Sequence, residues 1–462
     1  MLRAIAAASL VLLSCLSARA ADRPSFLVVI TDDQRWDALG VVQRERGGEA
    51  RFPWFDTPNM DRLAAGGTRF RNAFVVSALC SPSRAAFLTG RYNHENGVDD
   101  NMTPLAADAV TYASLLRDAG YATGYVGKWH MDGQRERPGF DWSASFVGQG
   151  RYTDCPVLVN GEETPTTGWV DDVSTDFAID FLKRQPDGKP FCLVVGYKTP
   201  HGPRTPESVP GRLGGLYADV EARPAPNADA PPPYRAEGTV APGRRRAQKP
   251  GDGVPTYFQL LTGVDQNLGR LLDALDETGR SEDTVVVFTS DNGYFLGEHG
   301  LSDKRDAYDE SIRIPLLIRA PGGRAGQAVD AIALNIDLAP TLLDFAGVAV
   351  PGSMRGRSLR PLLEGEPPAD WRTAFLYEYF EEPRYRTPTN FALRTTAAKL
   401  VVYPGHVEWT ELYDLEADPY ETKNLANAPE HAAMLRRMQA EFDRQAKAVG
   451  LPTASPEGTS RR

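Results

Sequence analysis

The sequence predicts an α/β protein: a large, mostly parallel central sheet flanked by helices, followed by a small C-terminal antiparallel sheet with one helix. Three observations predict it. Short apolar, β-branched runs at Ser25–Thr31, 120–127, 191–197, Thr284–Ser290 and 314–321 read as strands buried on both faces. Helical patterns lie between them, at 105–119 and most clearly at 257–278. In the latter, Leu260, Leu261, Val264, Leu268, Leu271, Leu272 and Leu275 recur at helical spacing. Past about residue 360 the strand-like runs shorten (375–377, 391–394, 399–403, 411–415), and a closing helix is expected over 432–447.

The chain has 462 residues, enough for one large domain and a smaller one. The expected segments are a leader at 1–20, a main domain at 22–360 and a small α+β subdomain at 361–462. Arg3, the apolar run 4–13 and Ala18-Arg19-Ala20 read as an export signal with its cleavage site. The run is too short for a membrane span, and no later segment could form one. The protein is therefore expected in the periplasm or outside the cell. Leu12-Leu13-Ser14-Cys15 offers the alternative of a lipoprotein anchored at Cys15. A formal net charge of −10 argues against a nucleic-acid partner, and it requires that any anionic substrate meet a locally positive pocket. The Pro-, Ala- and Arg-rich stretch 221–256 reads as a surface excursion.

Removal of the leader would leave Cys80, Cys155 and Cys192, an odd count for an exported chain, so one thiol should be special. Cys80 is that candidate. Cys155 and Cys192 could then form a disulfide, or Cys192 could be a buried core thiol within its apolar run. Cys80 opens the stretch Cys80-Ser81-Pro82-Ser83-Arg84-Ala85-Ala86-Phe87-Leu88-Thr89-Gly90-Arg91. Pro82 suits a first helical turn and Gly90 a helix exit, so Cys80 should sit at a helix N-terminus, among free N–H groups. That position favours an anionic ligand and a reactive side chain.

Other strand ends carry charged and oxygen-bearing residues. The first strand ends in Asp32-Asp33, and the strand at Thr284–Ser290 ends in Asp291-Asn292-Gly293. Lys128 and His130 follow the strand at 120–127 and, two apart, should face one side. Gly127 should let the backbone approach a ligand. Lys198 and His201 follow the strand at 191–197, and His299, Lys304 and Arg305 lie in the loop 297–305. In open α/β sheets the carboxyl edge is where ligands bind. Asp32, Asp33, Asp291 and Asn292 are hard oxygen donors suited to Ca²⁺ or Mg²⁺ and poor for zinc.

Cys-x-Pro-x-Arg followed by Leu-Thr-Gly-Arg resembles the signature of the type I sulfatases of the alkaline-phosphatase-like superfamily, in which the cysteine is oxidised to Cα-formylglycine. The order Asp-Asp, Cys-x-Pro-x-Arg, Gly-Lys-Trp-His, Lys-x-Pro-His, Asp-Asn-Gly, Asp-Lys is the family's order, and residues 411–419 are similar to its C-terminal segment. The resemblance implies a sulfatase whose hydrated formylglycine at Cys80 attacks the sulfur of a sulfate ester. The metal would be held by Asp32, Asp33, Asp291, Asn292 and the modified Cys80. Arg84, Lys128 and Lys304 would stabilise the transferring oxygens, His201 would protonate the leaving group and His130 would serve as the base. Lys198, His299 and Arg305 would bind substrate. Motif style resembles sulfatases of sugar sulfates, among them N-acetylglucosamine-6-sulfatases. The implied partners are a sulfated sugar or glycosaminoglycan fragment and a formylglycine-generating maturation enzyme. Two alternatives stand beside this: a phosphodiesterase or phosphonate monoester hydrolase on the same fold, and a secreted glycan-binding protein that keeps a free Cys80 thiol.

Overall fold

The computed structural model describes residues 23–131, 137–236 and 253–453. The expected leader, the Cys15 alternative and the arginine run 244–246 lie outside them. Among the described residues ten strands form the main sheet: β1 (Ser25–Thr31), β2 (Thr68–Phe70), β3 (Ala122–Lys128), β4 (Trp142–Phe146), β5 (Val157–Val159), β6 (Glu162–Thr164), β7 (Phe191–Gly196), β8 (Thr284–Ser290), β9 (Leu316–Arg319) and β10 (Gln327–Val329). They lie in the order β10-β2-β9-β8-β1-β7-β3-β4-β5-β6. The central strands β8, β1, β7, β3 and β4 are parallel. β9, read from the sequence as one more buried strand, runs antiparallel to both of its neighbours.

The apolar runs are continuous because both faces of the sheet are covered. Phe26, Val28, Ile30, Val194, Val285 and Val287 point to one face. There they meet α1 (Cys80–Thr89), α2 (Tyr112–Asp118) and residues further along the chain. Leu27, Val29, Leu193, Val195, Val286 and Phe288 point to the other, against α3 (Val170–Lys183) and α4 (Val254–Glu277). The α4 repeat is thus the amphipathic pattern expected over 257–278. Cys192 belongs to the first core, whereas Cys155 packs with Phe146, Tyr152 and Trp169 in a separate cluster. Both are free thiols, so the disulfide considered for them does not form.

The second sheet is antiparallel, with strands β11 (Ala374–Tyr379), β12 (Asn390–Thr395), β13 (Ala398–Val402) and β14 (Glu411–Asp414) in sequential order. The closing helix α5 (Ala432–Val449) buries Met438, Phe442 and Ala446 in a core that is continuous with the first face of the main sheet. Among the described residues no helix is long and apolar enough to cross a membrane.

Gly127 has a different task from the one its sequence position suggested. Its φ is +85°, and a Cβ there would lie 2.1 Å from the Gly196 carbonyl oxygen of the neighbouring strand. It lets β3 and β7 come together at the functional edge. Gly188, at φ +72°, has nothing among the described residues within 4 Å of such a Cβ. Gly188→Ala should therefore cost only the backbone strain, roughly 1–2 kcal/mol. Gly127→Ala should cost clearly more in urea melts. Equal losses would show that the Gly196 carbonyl is not the constraint.

Candidate active site

Register brings the strand ends together. Thr31 of β1 is level with Ser290 of β8, Ile30 with Gly196 of β7, and Gly127 of β3 with the same Gly196. The next residues of four parallel strands therefore emerge at one edge, carrying Asp32-Asp33, Asp291-Asn292, Lys198 and Lys128. α1 starts beside them at Cys80, and Gly90 ends it in the left-handed region at φ +64°, where its N–H reaches the Ala86 carbonyl. Both features follow from the stretch 80–91.

Asp32, Asp33 and Asp291 each offer a carboxylate oxygen within 4.8 Å of the others, and all three are buried. Each has its own cation. Lys128 Nζ donates to Asp32, Lys304 Nζ to Asp33, and Arg84 Nε to Asp291 at 2.9 Å. The Cys80 thiol lies 3.4 Å from Asp32 Oδ1 and 3.3 Å from Lys304 Nζ. His201, partly exposed at the mouth, shares a cluster with Asp32 and Cys80. Its Nδ1 donates to the Gly202 carbonyl at 2.9 Å, which leaves Nε2 as the working atom. Lys198 Nζ lies over the Tyr152 ring and 3.3 Å from the Gly202 carbonyl. Asp171 accepts from the Lys198 and Thr199 N–H groups and so fixes this loop.

Burial raises the Asp32 carboxyl, but Lys128, His201, Lys304 and Arg84 together outweigh it and hold it well below the usual range. Asp33 is lowered on the same balance, chiefly by Lys304. Asp291 is pushed up to about 7 by burial and by Asp32, despite Arg84. Burial and Asp32 push the Cys80 thiol up, against Lys128 and Lys304. The helix N-terminus therefore does not make this thiol reactive as expected, because desolvation and a neighbouring carboxylate win. Desolvation lowers Lys198 to about 8, with Lys128 adding to it. His201 falls to about 4 through desolvation and Lys128, against Asp32.

His130 reaches the site differently from the strand alternation expected of it. β3 ends at Lys128, and His130 takes φ +61°. Gln149 joins the two: its Oε1 accepts from Lys128 Nζ at 2.7 Å, so its Nε2 donates to His130 Nε2 at 2.9 Å. His130 consequently carries its proton on Nδ1, 3.4 Å from Ser81 Oγ. Two expected substrate-binding residues are not brought to this cluster with a free group. His299 is fully buried, stacks on Tyr308 at 3.7 Å and bonds to Asn227 and the Ala230 carbonyl. Arg305 is committed to Glu382 and Asp303 and covered by Tyr385. Asn227, which confines His299, and Glu382, which holds Arg305, lie 72 and 77 residues away in sequence.

Sequence reasoning missed Gln149 and Arg204. Gln149 lies three residues beyond β4, whose Phe146 is level with Lys128, so a Gly-Gln-Gly just past a strand end was the available signal. Arg204 rests 3.9 Å from the Tyr294 ring centre and 3.6 Å from Asp33 Oδ2. With Arg84, Lys128, Lys198 and Lys304 it makes five cations around three carboxylates, the local positive excess an acidic protein needs to hold an anion. The donor set also suits a hard divalent cation. Asn292 Oδ1 is buried without a hydrogen-bond partner among the described residues, beside the three carboxylates, and an Asp291 that titrates near neutrality ionises readily next to added positive charge.

The sheet and this edge define a hydrolase of the alkaline-phosphatase-like class. The family model "Sulfatase" matches residues 24–348, and "N-sulphoglucosamine sulphohydrolase, C-terminal" matches 297–448. An N-acetylglucosamine-6-O-sulfatase of Bacteroides thetaiotaomicron is 35% identical over 92% of this chain and 87% of its own. The multifunctional alkaline phosphatase superfamily protein PehA of Trinickia caryophylli is 31% identical over 90% of this chain and 93% of its own. A solved structure in complex with its substrate D-glucosamine-2-N,6-O-disulfate superposes with TM-score 0.84 and 32% identity, covering 94% of this chain and 100% of that one. The chain belongs to the sulfatase family, and the protein is a sulfatase, a hydrolase of sulfuric esters.

A cation bound by the native state alone adds to its stability. Chelation should therefore lower the melting temperature and abolish turnover, and restored Ca²⁺ or Mg²⁺ should recover both. Fully active protein without either metal, by elemental analysis, would refute the assignment to hard oxygen donors.

Proposed function

We propose that the protein removes sulfate from a sulfated sugar, a monosaccharide or glycosaminoglycan fragment, with Cys80 converted to formylglycine and Ca²⁺, or Mg²⁺ in its place, at Asp32, Asp33, Asp291, Asn292 and the modified Cys80. The observation that carries this reading is the setting of Cys80. It lies between Asp32 and Lys304, at the centre of the cation cluster, with a thiol too basic to attack anything at neutral pH. An aldehyde at that position, hydrated, offers a hydroxyl nucleophile that the thiol cannot. The sugar comes from the relatives named for N-acetylglucosamine 6-sulfate and bound to glucosamine disulfate. Export to the periplasm or beyond, and a maturation enzyme acting on Cys80, belong to the same reading.

When bound, the cation supplies Lewis-acid charge beside the sulfuryl oxygens. Arg84, Lys128, Lys198 and Lys304 hold those oxygens and keep the group oriented. His201 protonates the bridging oxygen through Nε2. In the free protein desolvation and Lys128 leave it unprotonated at neutral pH. A bound sulfate offsets the lysines, so the imidazolium is regained with substrate in place. His130, held neutral by desolvation and Lys128, takes the proton of the second diol hydroxyl at Nε2, giving up its bond to Gln149, as that hydroxyl's oxygen reforms the aldehyde and sulfate leaves.

Peptide mass spectrometry of active protein should show an aldehyde in place of the Cys80 thiol, and Cys80→Ala should lose turnover. An unmodified Cys80 in fully active protein sinks the proposal.

A sugar alkoxide needs a proton to leave, whereas nitrophenolate leaves largely unaided. His201→Ala should therefore slow a sulfated sugar by about 10²–10⁴-fold and a nitrophenyl sulfate far less. Because the protonated form is the active one, kcat for the sugar should fall as pH rises through the His201 pKa in the complex. That limb should be absent for the aryl ester. Equal slowing of both substrates would make His201 a binding residue instead of the acid.

A further inference from the structure

Away from the catalytic edge, where the loop 297–305 meets the C-terminal sheet, His299, Glu310 and Glu421 place one ligand atom each within 4.8 Å of one another, all buried. The hydrogen bonds fix what these atoms are. His299 Nδ1 lies 2.7 Å from the Ala230 carbonyl, so Nδ1 carries a proton. Asn227 Nδ2 lies 2.9 Å from His299 Nε2, 3.0 Å from Glu310 Oε1 and 2.9 Å from the Tyr420 carbonyl. Turning this amide over would set its oxygen against the Glu310 carboxylate and the Tyr420 carbonyl, so the nitrogen faces inward and His299 Nε2 is a bare lone pair.

An amide has two hydrogens, and here it faces three acceptors. Glu310 Oε2 is buried with no hydrogen-bond partner among the described residues, 3.8 Å from His299 Nε2. Glu421 accepts from the Asp309 N–H at 2.9 Å and pairs with Lys399 at 2.6 Å, but each carboxylate oxygen keeps a further lone pair. Acceptors outnumber donors in a volume closed to water, which is costly unless a cation or a proton enters. An imidazole whose other nitrogen donates to a backbone carbonyl is the usual orientation of a metal-binding histidine.

We propose that His299, Glu310 and Glu421 form a second, structural site for a divalent cation of the Zn²⁺ type, clamping the loop 297–305 to the C-terminal sheet. One nitrogen with carboxylate oxygens suits zinc, unlike the all-oxygen set at the catalytic edge.

The test uses the mature chain stripped by a chelator and titrated with Zn²⁺ alone, read by native mass spectrometry and thermal melting. Wild type should bind one equivalent more than Glu310→Gln and gain melting temperature that the variant does not gain. Asp32→Asn, which removes the residue shared by the two clusters at the catalytic edge, should keep that equivalent, with an imidazole nitrogen in the zinc shell by X-ray absorption. Loss of activity in Asp32→Asn with retained zinc separates this site from the catalytic reading. Equal stoichiometry in wild type and Glu310→Gln would overturn the proposal and leave a shared proton as the occupant. Should Glu310→Gln fail to fold, wild type showing no zinc–imidazole signal at saturation overturns it equally.

Discussion

Three buried carboxylates within 4.8 Å of one another are the constraint on which the rest of the structure depends. Left alone they would repel each other in a medium that solvates them poorly, at a cost of several kcal/mol for each buried charge, to order of magnitude (about 20 kcal/mol in the idealised limit). Each is instead met by a cation from a different part of the chain: Lys128 from the end of β3, Lys304 from the loop 297–305, Arg84 from the first turns of α1. These pairs lock the ends of β1, β3 and β8, the start of α1 and that loop into one geometry. Removing one cation from such a pair costs about 3–5 kcal/mol, because it leaves a buried charge uncompensated. The cations proposed to hold substrate oxygens are thus also those that hold the edge together.

The same constraint explains why the site was largely legible in the sequence. Strands buried on both faces read as unbroken apolar runs, and the charged residues that end them stand out by contrast. Asp32-Asp33, Lys128, Lys198 and Asp291-Asn292 were visible for that reason, and the Pro82 and Gly90 signals placed Cys80 at a helix start. What escaped depends on tertiary contact. Gln149 is an ordinary glutamine until Phe146 is known to lie level with Lys128. Gly127 looked like a ligand-facing glycine, although the neighbour it must avoid is the Gly196 carbonyl, 69 residues on. His299 and Arg305 share a loop with Lys304, and sequence proximity suggested a shared task. A left-handed turn at His299 and the ion pair of Arg305 with Glu382 send their side chains elsewhere. The Cys80 thiol was misjudged in the same way: a helix N-terminus is a local feature, while the burial and the Asp32 charge that dominate it are not.

Those two diverted residues show what the small C-terminal sheet contributes. Lys304 must enter a buried site from an irregular loop, and a loop of that kind keeps a long side chain in place only if its backbone is held from outside. Tyr377 on β11 donates to the Arg305 carbonyl at 2.6 Å, and Asn390 on β12 reaches the same carbonyl at 3.4 Å. The Arg305 side chain is tied to Glu382, between these two strands, and Asp306 to Thr387. The residues immediately after Lys304 are thus stitched to the second sheet, while Lys304 itself points back to Asp33 and Cys80. The second sheet thus reaches the candidate site at one remove, by fixing the loop that places Lys304 beside Cys80. This also accounts for a family model that spans 297–448 and so takes in the loop along with the sheet. The loop and the sheet that anchors it are joined at Arg305, and Lys304 is the point at which they meet the carboxylate cluster.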